Sequence, residues 1–188
     1  MLLGIDLGTM FIKSVVFDLD GKVISSAGEE VNVEYPRPGW AEQDMESMWK
    51  ICAKTIRDST SRIEKIAGVG VSGQMDGTFL IGERGRPARK KAIIWLDSRG
   101  DKKEQIERWE KDGTSHDISR YGGIVMTCRP LMHMWWLAKN EPETLEDTAT
   151  HLGCKDWIRF KLAGEESRFM DYTEASVTAM YDPIKKRW

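Results

Sequence analysis

Cysteine is scarce in this 188-residue chain, and the three present, Cys52, Cys128 and Cys154, are far apart and never in CxxC spacing. An odd, scattered set fits reduced thiols better than a disulfide framework or a zinc site. Histidine is as thin: His116, His133 and His151 share no spacing that would gather them around a metal. An excess of one charge is also missing, since 28 Lys and Arg stand interspersed against 30 Asp and Glu, for a formal net charge of -2. That balance argues against a nucleic-acid partner held by a basic stripe and against an acidic tether, and leaves a small neutral or anionic ligand. Long apolar runs are absent, and the N-terminus lacks a basic region leading into a signal-type core. Neither membrane insertion nor secretion is therefore expected, and the cytoplasm is the default compartment. No internal repeat, low-complexity tract or linker breaks the chain, so one α/β domain is the simplest parse.

What is present is a hydrophobic content of 40%, enough for a core, and an opening that predicts three strands in a meander. Leu2 to Ile5 is apolar, Ile12 to Phe17 alternates into a β-branched run, and Asp18-Leu19-Asp20-Gly21 is a turn ahead of Val23 to Ser26. A dinucleotide-binding βαβ unit is disfavoured, because it needs a second glycine two residues on and then a helix, where Gly8 is followed by a strand-like segment. Within GIDLGT the first strand ends on Asp6, a carboxylate expected to be buried, and a buried charge needs a reason.

Downstream, Asp44 to about Ser59 has helical periodicity, with Met48, Ile51, Cys52, Thr55 and Ile56 on one face and Asp44 as N-cap. A buried strand is expected over Ile66 to Val71, ending in SGQMDG, then a strand from Thr78 to Ile81, the turn GERGRP, and a strand Ala92 to Trp95 running into LDSRG. Further helices are expected from roughly Asp101 to Lys111, around Met132 to Leu137 until Asn140-Glu141-Pro142 breaks it, and from Lys155 to Leu162. Met132, Met134, Trp135 and Trp136 suit helix packing better than a cofactor box, and Trp40 suits a loop anchor. Ligands of α/β sheets lie beyond strand ends, and Asp6, Asp76, Asp97 and Asp171 all fall in such loops. Singly, each suits a turn aspartate that caps a backbone N–H.

Their company says more. GIDLGT, PGWAEQD (Pro38 to Asp44), VSGQMDG (Val71 to Gly77), IIWLDSR (Ile93 to Arg99), KDWIRFKLAGE (Lys155 to Glu165) and MDYTEAS (Met170 to Ser176) follow one another in the order and approximate spacing of a known family. Along essentially its whole length the chain resembles the N-terminal domain of the FGGY family of carbohydrate kinases. GIDLGT alone is shared with the wider actin, chaperone and hexokinase superfamily, whereas the six in order are specific. The resemblance implies a ribonuclease-H-like α/β domain of the actin/hexokinase type, with a mixed central sheet flanked by helices. It also implies phosphorylation of a sugar or polyol hydroxyl by ATP with Mg2+. Carried over residue by residue, it makes Asp171 the catalytic base and gives Asp6 the magnesium, held through water. Gly8, Thr9 and Lys13 then face the nucleotide phosphates, and Gln74, Met75, Asp76, Trp95, Asp97 and Arg99 face the substrate. Phosphoryl transfer to a weakly nucleophilic alcohol is mainly positioning and charge neutralisation, so carboxylates near the hydroxyl and near the metal suit it. Gln74 and Asp76 can bond vicinal hydroxyls, and such a site rejects analogues that leave its polar groups unpaired. Trp95 suits either plain core or a cover for a sugar's C–H face. Asp97 and Arg99 suit either a surface turn pair or an ion pair shaping the pocket.

Departures from the family pattern sharpen the expectation. Met10 and Phe11 stand where many members carry small hydroxyl residues, which removes possible phosphate donors. Met75-Asp76 replaces the histidine of xylulose kinases and the Arg-Glu pair of glycerol kinases, and GQMDGTFLI with WLDSRG is closer to erythritol or L-xylulose kinases. A pentulose or short polyol is the expected substrate. Cys154 stands in place of a usual proline, a change expected to alter a loop only. Family members carry a second domain, and MYDPIKKRW resembles the approach to the end of the first. Residues 1–188 are therefore expected to form an N-terminal domain truncated near its end, with the missing C-terminal kinase domain as partner, and to be inactive alone. A non-catalytic sugar-binding or regulatory module and an actin-like or chaperone-type ATPase remain alternatives. A homodimer through an exposed sheet edge is permitted.

Overall fold

Alternation builds the main sheet. In the computed structural model, which describes residues 1–100, 103–116 and 126–188, β1 (Leu2–Leu7) turns Leu3, Ile5 and Leu7 inward. β2 (Phe11–Phe17) turns Ile12, Ser14 and Val16 the same way and pairs antiparallel with β1, setting Asp6 opposite Lys13. β3 (Val23–Glu30) returns antiparallel to β2 through a turn in which Gly21 takes φ 81° and Asp18 Oδ1 accepts from the Asp20 and Lys22 amides. After the short β4 (Glu42–Asp44) and helix α1 (Met45–Thr60), β5 (Gly68–Gly73) lies parallel to β1 and completes the order β3-β2-β1-β5. An antiparallel meander extended by one parallel strand is not a dinucleotide-binding βαβ unit.

The N-cap expected at Asp44 is formed: its carboxylate accepts from the Ser47 amide at 2.8 Å. α1 lays Met45, Met48, Cys52 and Thr55 on the sheet, and the buried hydroxyls of Thr55 and Ser14 satisfy each other at 2.8 Å. β6 (Phe79–Ile81) and β7 (Lys91–Ile93) follow, β7 pairing with β4. Then come α2 (Lys103–Asp112), α3 (Pro130–Asn140), α4 (Pro142–Glu146), β8 (Thr150–Leu152), which pairs with β6, and α5 (Cys154–Ala163). A 3-10 turn, Glu165–Ser167, leads to α6 (Tyr172–Val177). Trp157, Ile158 and Phe160 of α5 join Leu3, Ile5, Met48 and Cys52 in the principal core. Truncating fully buried Trp157 to alanine would cost about 3–5 kcal/mol. A smaller core gathers Leu80, Ile93, Trp136 and Leu137 under Trp40, so the Met and Trp residues of α3 are packing residues as expected.

Several expectations need correction. The strand after Ile66 begins at Gly68 and is not buried, with Val69 53% exposed, because β5 is the edge strand of its sheet. Val71 is partly buried against the principal core, while Val69 is exposed. β4 and β8, of three residues each, were too short to leave a period in the sequence. Pro142 ends α3 at Asn140 but opens α4 at once, since proline is tolerated in a first helical turn. Residues 101 and 102 of the helix expected from Asp101 lie outside the described residues. All three cysteines are free, with Cys52 and Cys154 buried. Among the described residues no helix is long and apolar enough to cross a membrane.

Candidate active site

The C-terminal ends of β1 and β5 lie side by side, Leu7 opposite Gly73, and each strand runs into a polar loop. A closed hydrogen-bonded system links those loops. Gln74 keeps its amide on Leu7 O at 2.9 Å, so its side chain starts from a fixed position beside β1. Its Nε2 donates to Oε1 of Gln43 at 2.6 Å, and Gln43 Nε2 donates to the Thr9 carbonyl at 2.7 Å. Thr9 Oγ1 donates to Gln74 Oε1 at 3.3 Å and accepts from Trp95 Nε1 at 2.8 Å. Gln43, fully buried on β4, is the hub, and it was missed in the sequence although PGWAEQD contains it. Trp95 is not core: its ring is 44% exposed while its N–H is held, which leaves an aromatic surface fixed in orientation above the loops.

Behind this system lies a buried ionic scaffold. Asp97 and Arg99 have no exposed side-chain surface, which overturns the surface-pair expectation and makes them a buried ion pair. Asp97 Oδ2 accepts from the Ala41 amide at 2.6 Å, and Arg99 NH2 reaches Asp97 Oδ2 at 2.8 Å and Glu42 Oε1 at 2.7 Å. Glu42 also holds Arg89 at 2.7 Å. Burial pushes the Glu42 carboxyl up, but the two guanidinium groups outweigh it and keep the group below its ordinary range. The Arg99 guanidinium is 4.0 Å from the Trp40 ring centre and 5.0 Å from that of Trp136, so Trp40 is the loop anchor expected of it. The scaffold pins the segment that presents Trp95.

Asp76 stands at the tip of the neighbouring loop with φ 61°, a left-handed conformation uncommon outside glycine. Arg129, at the N-cap of α3, pairs with its Oδ1 at 2.6 Å, a partner no sequence motif marked. Met75 beside it is half-exposed. One step on, Thr78 Oγ1 and His133 Nδ1 are 2.8 Å apart. His133 is buried and His151 half-buried, both held neutral down to about 3 and about 4 by desolvation, while His116 is exposed. Among the described residues no group of three or more His, Cys, Asp or Glu could hold a metal.

Asp6 is exposed, contrary to the expected burial, and accepts from Ser72 Oγ at 2.7 Å. With Lys13, Gly4 and Gly70 it lines an open hollow on the outer face of the sheet. A lone exposed carboxylate fits magnesium of the kind that keeps several waters and binds substrate phosphates. Gly8 has a local reason to be glycine, since a Cβ there would come within 2.8 Å of the Phe11 carbonyl. The Thr9 hydroxyl is committed to Gln74 and Trp95. Met10 and Phe11 are exposed beside it, at 71% and 44%.

Asp171 sits elsewhere. It caps α6, accepting from the Glu174 amide at 2.9 Å through Oδ1, while Oδ2 is 3.1 Å from Lys155 Nζ. Burial raises its pKa, but the Glu174 amide and the Lys155 ammonium outweigh that and hold it below the ordinary range. Lys155 also pairs with buried Glu174 at 2.6 Å. Asp171 and Lys155 line one cleft of about 720 Å3 with Ile5, Val69, Val71, Ile56 and Leu162, on the helical side of the sheet. Asp6 faces the other side. Asp156 lies in the same cleft with its Oδ2 unpartnered, and burial raises its pKa to about 6. The structure thus brings Thr9, Gln74 and Trp95 together, backs them with Asp97 and Arg99, and joins Asp171 through Lys155 to Glu174, which is near enough to Asp76 for their charges to interact.

A meander continued by a parallel strand, with polar loops at the shared strand ends, defines the ribonuclease-H-like α/β class of the actin and hexokinase type. Within it the chain belongs to the FGGY family of carbohydrate kinases, whose N-terminal domain matches residues 1–188. It is 33% identical over 168 residues to a probable L-xylulose kinase of Pasteurella multocida, covering 87% of this chain and 34% of that protein. It is 32% identical over 190 residues to the erythritol kinase of Brucella abortus, covering 95% of this chain and 34% of the relative. A ligand-bound xylulose kinase from Lactobacillus acidophilus superposes with a TM-score of 0.87 at 26% identity, over 96% of this chain and 36% of that structure. The chain therefore spans about a third of the length of the relatives it matches.

Proposed function

We propose that this chain supplies the substrate-recognising part of an ATP-dependent kinase acting on a hydroxyl of a pentulose or short polyol. The observation that carries the reading is the closed Thr9–Gln43–Gln74–Trp95 system at the ends of β1 and β5. Its polar groups are held before any ligand arrives, and its half-exposed indole is a surface for C–H bonds. The capacity left over, the second lone pair of Gln74 Oε1 and the Asp76 oxygen that Arg129 does not hold, suits vicinal hydroxyls, and a molecule lacking them leaves those acceptors without that partner. The L-xylulose and erythritol kinase relatives support the substrate class.

In this reading Gln74, Met75, Asp76 and Trp95 face the substrate, and Asp97 with Arg99 positions the Trp95 loop. Asp6 holds magnesium through water, and Lys13 and the Gly8–Thr9 backbone lie toward the phosphates. Magnesium, when bound with nucleotide, neutralises phosphate charge. Asp171 is the candidate base, ionised at neutral pH, and it acts only if Lys155 releases an oxygen to the hydroxyl. Because transfer needs reactants enclosed by a second domain, the 188 residues alone have negligible kinase activity. The protein is cytoplasmic in this reading.

The test is product formation by a polypeptide of full family length carrying this chain, given MgATP with L-xylulose, D-xylulose, erythritol or glycerol. Phosphorylation of a pentulose or polyol, lost in Gln74→Ala, supports the reading. ATP hydrolysis indifferent to all four would indicate an actin-like or chaperone-type ATPase, and sugar binding without any product a regulatory module.

A further inference from the structure

The start of α3 touches the loop from Gln74 to Thr78 at two points, through Arg129 and His133, neither of which lies in a motif. Arg129, just ahead of the helix, gives NH1 to Asp76 Oδ1 at 2.6 Å and to the Val177 carbonyl at 3.0 Å. That carbonyl belongs to the last turn of α6, and the Leu131 amide donates to the next one, Thr178 O, at 3.1 Å. One turn into α3, fully buried His133 meets the Thr78 hydroxyl. Thr78 is itself fixed by reciprocal backbone bonds with Ile93, at 2.8 and 3.3 Å. The loop from Gln74 to Thr78 is therefore held at its base by Thr78 and at its tip by Asp76, and the strained φ of 61° is at the tip anchor itself.

We propose that Arg129 is a positioning residue for substrate recognition, fixing the Asp76 carboxylate through one oxygen so that the other accepts a substrate hydroxyl, with His133 as the second anchor of the loop. This rests on the kinase reading of the site. Asp76 is mostly buried, so an unpaired carboxylate there would be costly, and the pair is what permits an ionised acceptor at that position. The titratable or charged neighbours facing Asp76 are Arg129 and Cys128 ahead of α3 and Glu174 of α6. Burial raises the Asp76 pKa and Arg129 opposes the rise, so removing Arg129 leaves burial and the Glu174 charge both favouring the protonated, weaker acceptor.

The first readout needs no sugar. The Asp76 carboxyl is titrated by carbon NMR in the 188-residue chain, as wild type, Arg129→Met, Arg129→Lys and His133→Gln, with amide exchange followed from Met75 to Thr78. Arg129→Met is expected to move the Asp76 titration to higher pH and Arg129→Lys to restore part of the shift. His133→Gln is expected to speed loop exchange without moving that titration. Should Arg129→Met fail to fold, Arg129→Lys alone still reads the shift. An Asp76 titration indifferent to residue 129 overturns the proposal. The second readout is binding of L-xylulose and erythritol, expected to weaken about tenfold or more in Arg129→Met, the scale of an unsatisfied charged hydrogen bond. Binding equal to wild type also overturns it. If wild type binds neither ligand while the titration shifts, the kinase reading fails and the Arg129 anchor stands.

Discussion

The two sides of the β1–β5 pair are built on opposite plans. At the strand ends, polar side chains are tied to one another, Gln74 to Gln43, Gln43 to Thr9 and Thr9 to Trp95, over an ion cluster with no exposed side-chain surface at Asp97 or Arg99. In the cleft between β5, α1 and α5, aliphatic walls surround Asp171, Lys155 and an Asp156 oxygen that nothing bonds. In the first region the named polar side chains are held by one another. The second holds a carboxylate, Asp156, with one oxygen paired to Arg159 at 3.2 Å and the other unpartnered, beside open apolar surface. In the first, polar groups satisfy one another; in the second, Asp171 caps α6 and pairs with Lys155.

The sharpest way to break the first region is Arg99→Met, which leaves Asp97 and Glu42 as buried charges without their shared partner. A loss of about 3–5 kcal/mol in unfolding free energy is expected from denaturant titration. Gln43→Leu is the next largest: it takes away the oxygen that Gln74 Nε2 donates to and the donor to the Thr9 carbonyl. About 1–3 kcal/mol is expected from the unsatisfied groups, with sugar affinity falling in parallel. Asp171→Asn separates the two roles of that residue. As a cap and partner of Lys155 it should cost at most about 1 kcal/mol and leave turnover intact; as a base its loss should cut kcat by about 10²–10⁴ in a family-length protein.

A separate prediction concerns the pH dependence. His133 and His151 titrate at about 3 and about 4 in the folded chain, below the 6.5 of a free imidazole. The stability they contribute is complete above pH 6.5 and is lost as the pH falls toward those values. Asp156, raised from 3.8 to about 6, runs in the opposite sense, so its carboxylate weakens the fold as pH rises through that window. Asp156→Asn should therefore melt higher than wild type at pH 7, with the gap closing near pH 4. Thermal unfolding across that range checks the sign, and a gap that widens on acidification contradicts it.

Much of the fold was legible because its signals are local. Alternation in β1 and β2, the Asp18–Gly21 turn, the Asp44 cap and the apolar stripe of α1 are written within single elements. Burial was less so, since it depends on neighbours: the apolar segment at β5 lies on a sheet edge, and Asp6 points outward from a strand whose alternate residues are core. Candidate site residues were found where they end strands, as Gln74 and Trp95 do. Gln43 and Glu42 escaped because a three-residue strand shows no period, and Arg129 because its partner is 53 residues away. Asp171 shows the limit of a motif, which names a residue without its surroundings.

The central claim is that the loop system at the ends of β1 and β5 recognises a pentulose or short polyol. Calorimetric titration of the 188-residue chain with L-xylulose, D-xylulose, erythritol and glycerol tests it most directly. Saturable binding of at least one, abolished by Gln74→Ala and unaffected by Asp171→Asn, is the predicted result. Binding of none, or binding that survives Gln74→Ala unchanged, would contradict it.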